Sequence, residues 1–64
     1  MTNSAIQAAI NIAAILGVNP MKILSIRPED GSGYCWLFKM VGVGQREQFI
    51  DLRKGEAIEI EKAN

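Results

Sequence analysis

From Met1 to Met21 no side chain carries a charge, and Lys22 is the first that does. Within that stretch the apolar residues return at the period of a helix. Placed at about 100° per residue, Ile6, Ala9, Ile10, Ile12, Ala13 and Leu16 cover a wide apolar arc, opposite a narrow polar stripe of Ser4, Gln7 and Asn11. Thr2, Asn3 and Ser4 are all N-cap types, and Ala5, Ala8, Ala9, Ala13 and Ala14 favour a helix that approaches a sheet closely. Gly17 suits a left-handed cap, and Asn19-Pro20 stops the helix. The pattern predicts a helix over about 3–16. Ile15 falls on the polar stripe, between Ser4 and Ala8. On an uncharged helix it marks a second covered side, a candidate contact for self-association.

The remainder reads as strands separated by turns. Ile23, Leu24 and Ile26 predict a strand over 21–27, or a single helical turn opened by Pro20 and a shorter strand over 24–27. Pro28-Glu29-Asp30-Gly31-Ser32-Gly33 is turn chemistry. Strands follow over 34–41, dense in aromatic and branched residues, over 46–52, and over 57–61, where Ile58 and Ile60 alternate with Glu59 and Glu61. Short connections favour antiparallel neighbours. The expected fold is α+β, one N-terminal helix packed on a three- to four-stranded antiparallel β-meander, a single domain over 1–64.

Sixty-four residues, 48% hydrophobic and 22% charged, make a small globular domain rather than a disordered chain. Seven basic and seven acidic residues cancel. A protein that grips phosphates usually carries a basic excess, so direct nucleic-acid binding loses weight, while self-association meets no net repulsion. Cys35 is the lone cysteine, which excludes an intrachain disulfide and points to a reducing, cytoplasmic compartment. The apolar run from Ala5 to Leu16 is too short for a bilayer, and no signal-peptide pattern is present.

The absence of histidine removes Ser-His-Asp and Cys-His nucleophile pairs and histidine metal ligands. Cys35 then has no obvious base and reads as a small strand residue. Gly42-Val43-Gly44 is followed at the third-glycine position by Glu47, so it is a turn rather than a dinucleotide loop. No catalytic residue, metal site or cofactor is expected, and the chain reads as a non-enzyme.

Tyr34, Trp36, Phe38 and Met40 share one face of their strand by the period of two and are expected to meet the helix. The alternative is a platform on which single-stranded bases stack, with Lys39, Arg46 and Arg53 on phosphates. The opposite face carries Cys35, Leu37, Lys39 and Val41, and Phe49 and Asp51 join it if Ile50 and Leu52 turn inward. Leu37, Val41 and Phe49 then form an apolar contact surface, with Glu47, Asp51, Glu59 and Glu61 as an acidic rim facing a basic groove on a partner. A sheet bent around a fully enclosed core is the competing expectation.

In size and layout, the helix Asn3 to Leu16, the strands around Tyr34–Val41 and Arg46–Leu52, and the acidic strand Ala57–Glu61 resemble the very small phage and mobile-element inhibitor proteins, the anti-CRISPR proteins among them. That resemblance implies stoichiometric binding to a larger complex, often in a basic nucleic-acid groove. The helix, the Pro20 turn and the Asp30-Gly31 turn ahead of an aromatic strand also resemble a gas-vesicle accessory protein. The leading expectation is a protein-binding module, an inhibitor or accessory factor of a larger complex. The alternatives are a small single-strand nucleic-acid binder using Tyr34, Trp36 and Phe38, and a structural subunit stable as an oligomer, a homodimer in the simplest case.

Overall fold

A computed structural model describes residues 4–42, 44 and 46–60. It shows an α+β fold: one helix, α1 (Ser4–Leu16), then four strands, β1 (Ile23–Pro28), β2 (Cys35–Met40), β3 (Glu47–Asp51) and β4 (Glu56–Ile60). The strands pair antiparallel in chain order, β1-β2-β3-β4, which is the meander the short turns require. Thr2, Asn3 and Glu61, expected at the ends of the helix and the last strand, lie outside the described residues, as do Val43 and Gln45 of the β2–β3 turn.

Helix α1 ends where the chain makes it end. Gly17 has φ +72°, and the Val18 N–H reaches back to the Ala13 carbonyl at 3.0 Å. Pro20–Lys22 forms a single 3₁₀ turn, capped by the Asn19 side chain, which accepts from the Met21 N–H at 2.9 Å. Proline at the first position of that turn costs no hydrogen bond. The strand expected from residue 21 therefore begins at Ile23. A bulge between Ile23 and Ser25 shifts its register against β2 and leaves Leu24 exposed.

The core lies between α1 and one face of the sheet. Ala8 and Ile12 meet Trp36, Phe38 and Ile50, with Ala5, Leu16, Ile23, Ile26, Met40, Leu52 and Ala57 around them. The Trp36 indole Nε1 donates to the Gly33 carbonyl at 3.1 Å, so its polar edge is satisfied. Tyr34 departs from the expected inward set: it precedes β2, is 48% exposed, and its ring lies 5.1 Å from the Arg53 guanidinium.

The helix face is narrower than the apolar arc. Ala8, Ile12 and Ala13 are buried, whereas Ile6 and Ile10 are 60% and 45% exposed. The face that meets the core combines small and large residues, Ala5, Ala8, Ile12 and Leu16, and leaves the bulky flank at Ile6 and Ile10 exposed. Ile15 is also partly exposed, so it is one of three open isoleucines on this helix rather than a special case.

Candidate functional site

Register sorts the sheet into two faces, because directly paired residues share a side. Trp36 pairs with Ile50 and Ile26 with Phe38 on the helix side. On the other side Arg27 pairs with Leu37, Leu37 with Phe49, and Phe49 with Ile58. One row, Arg27-Leu37-Phe49-Ile58, thus crosses all four strands on the face turned away from α1.

The ends of that row differ. At β1 and β2 the face is screened by its own side chains: Leu37 is buried, and Arg27 reaches over β2 to Glu47, Nη2 to Oε2 at 3.4 Å. A second arginine acts at the far end of β3, where Arg53 places Nε 3.0 Å and Nη2 2.8 Å from the two oxygens of Asp51. In both pairs the arginine side chain stays more than half exposed while the carboxylate is covered, the usual behaviour of a long stem laid on apolar surface. Ile58, by contrast, is 57% exposed on the outermost strand.

Of the residues expected to form the contact surface, Leu37 and Phe49 are adjacent, and Glu47 and Asp51 flank them on β3. Leu37 is buried, so it supports the surface rather than presenting it. Val41 lies past the end of β2 and is exposed. Glu59 falls on the opposite face: it pairs with Gln48, on the helix side, and its carboxylate meets Arg46. The β3–β4 turn decides this, since Asp51 pairs with Glu56 and sends Ile58, not Glu59, to the outward row. Glu47, Asp51 and Glu59 each pair with an arginine of the same chain, so these three carboxylates are charge-balanced, and Glu61 lies outside the described residues.

Ile58, Arg27 and Arg53 are members that sequence reasoning passed over. The missed signal was the turn Leu52–Gly55. Gly55 has φ +68°, and its N–H and that of Lys54 bond to the Asp51 carbonyl. A four-residue loop closed by Asp51 and Glu56 fixes which residues of β4 face outward.

Asp51 anchors the turn as well as the arginine. Its Oδ1 accepts from the Arg53 backbone N–H at 2.9 Å. The Arg53 side chain bonded to both oxygens holds the carboxyl at about 2, against an upward push from burial, and raises the Arg53 guanidinium in turn. A carboxyl depressed in the folded state contributes its stability above the ordinary value of about 3.9 and loses it as pH falls toward about 2. The melting temperature should therefore drop through that window, and Asp51→Asn should flatten the drop. A profile identical in both proteins would show that the pair does not contribute.

Cys35 sits beside this pair, with Arg53 Nη2 3.8 Å from its sulfur. Burial first, and the carboxylates of Asp30 and Asp51 after it, push the thiol upward, so it stays protonated at neutral pH and is a poor nucleophile. Asp30 is lowered, chiefly by the Ser32 hydroxyl at 2.6 Å and the Ser32 N–H at 2.9 Å. It is a turn-building residue. Among the described residues no three His, Cys, Asp or Glu side chains gather as metal ligands, and no helix is long and apolar enough to cross a membrane.

No family model, curated protein or solved structure matches this chain.

The aromatic platform loses its two central rings. Trp36 and Phe38 are 4% and 1% exposed beneath α1, where bases cannot stack on them. Tyr34 remains at the surface, already covered on one side by Arg53.

Proposed function

We propose that this protein is a non-enzymatic binding module that acts stoichiometrically on a larger protein or complex, as an inhibitor or accessory factor. The observation that carries this reading is the pair Phe49 and Ile58, in line with Leu37, on the sheet face turned away from α1. A water-facing side of an antiparallel sheet ordinarily takes polar residues. Here the centre of the row is apolar and its flanks are arginine–carboxylate pairs, the arrangement of an apolar contact core with a polar rim. Because those charges are balanced within the chain, the partner is held by apolar contact more than by attraction to a basic groove.

The test is capture of the partner from the source cell by tagged wild type and by Phe49→Thr with Val41→Thr. Threonine is itself a strand-favouring residue at position 49 and matches the shape of valine at position 41, and at both it removes apolar surface. The variant should retain its circular dichroism and lose the partner. Equal recovery by both proteins, or a catch that disappears on nuclease treatment, would contradict the reading.

A further inference from the structure

The two edges of the sheet are not equivalent. On β1 the Glu29 N–H bonds to the Cys35 carbonyl at 2.8 Å, and the alternation of the ladder then turns Ile26 and Pro28 to the free edge. Proline has no N–H to offer, and the bulge between Ile23 and Ser25 bends the same strand away. On the other side, the Leu52 N–H bonds to the Tyr34 carbonyl at 2.8 Å and the Gly55 N–H to the Asp51 carbonyl at 3.0 Å. With the registers of β2–β3 and β3–β4, this aims the backbone groups of Ala57 and Glu59 outward from β4. That edge carries neither proline nor bulge.

We infer that β4 is the dimerisation edge, pairing antiparallel with β4 of a second copy to make one eight-stranded sheet. A two-fold axis at Ile58 sets Ala57 of each protomer opposite Glu59 of the other, which satisfies every outward backbone group of the strand reciprocally. Glu56 then lies opposite Ile60, and no carboxylate faces another. Centring the pairing on Glu59 would set two carboxylates against each other, and centring it on Ala57 would leave Glu59 opposite Gly55 in the turn. In the chosen register Ile58 meets its own copy as a non-hydrogen-bonded pair, with Cα atoms about 4.5 Å apart. The outward rows of the two protomers join into one apolar stripe, Leu37-Phe49-Ile58 followed by its mirror order. A net charge of zero puts no long-range repulsion in the way. This pairing stands apart from the binding reading, because it needs the chain alone.

The experiment is sedimentation of the purified protein from micromolar to millimolar concentration, with amide exchange followed on the same samples. Wild type should pass from the mass of one chain to that of two, and the Ala57 and Glu59 amides should become protected as it does. Ile58→Lys, which places two like charges on the axis, should weaken association roughly tenfold or more. Glu59→Pro, which copies the device of Pro28, should do the same. A wild type that stays monomeric throughout would overturn the inference. So would a dimer that both variants leave unchanged, or Ala57 and Glu59 amides that exchange as freely in concentrated as in dilute protein.

Discussion

Phe38→Ala is expected to leave the chain largely unfolded at room temperature. Phe38 is 1% exposed at the middle of β2, within a cluster formed by Ala8, Ile12, Trp36 and Ile50. Truncating a buried phenylalanine costs about 3–5 kcal/mol, from lost transfer energy and the cavity left behind. A single core of this size supplies only about 3–5 kcal/mol in total. The two figures are of the same order, so the loss is not absorbed. Urea titration followed by far-ultraviolet circular dichroism would show little or no native baseline. A variant that melts within a few degrees of wild type would mean that Phe38 is not in the core.

The second large effect separates two isoleucines on one helix. Ile12 is fully buried, while Ile6 is 60% exposed. Ile12→Ala should cost about 2–5 kcal/mol, again close to the whole stability. Ile6→Ala should stay within about 0.5 kcal/mol of wild type, as surface changes usually do. Equal losses at both positions would show the helix rotated about its axis, with its bulky flank against the sheet.

That contrast also marks where the sequence was legible. Gly17, Pro20 and Asp30-Gly31 broke the chain at the right places, because φ and hydrogen-bond constraints act locally. Alternation in β2 put Trp36 and Phe38 together, because the period of a strand is short and unambiguous. The helix was harder. Its apolar arc is wider than one sheet can cover, so periodicity admitted several rotations, and alanine packing against Trp36 and Phe38 selected the one that leaves Ile6 and Ile10 outside.

The candidate surface was half legible for a related reason. Leu37 and Phe49 lie on neighbouring strands, and alternation alone brings them side by side. Ile58 and Glu59 depend on register across a four-residue turn, where a slip of one residue exchanges the faces. The arginines depend on length: Arg27 reaches Glu47 across an intervening strand, which no spacing rule in the sequence displays. Glu47, Asp51 and Glu59, expected as part of an acidic rim, are for this reason held in internal ion pairs.

The aromatic side of β2 is core, which leaves the opposite face for contact. Trp36 is the single tryptophan and reports on this directly. In native protein at low concentration its emission should be blue-shifted and resist quenching by acrylamide, becoming red-shifted and quenchable on unfolding in urea. Red-shifted, freely quenched emission from the folded protein would place the indole in water, restore the stacking platform and contradict the account.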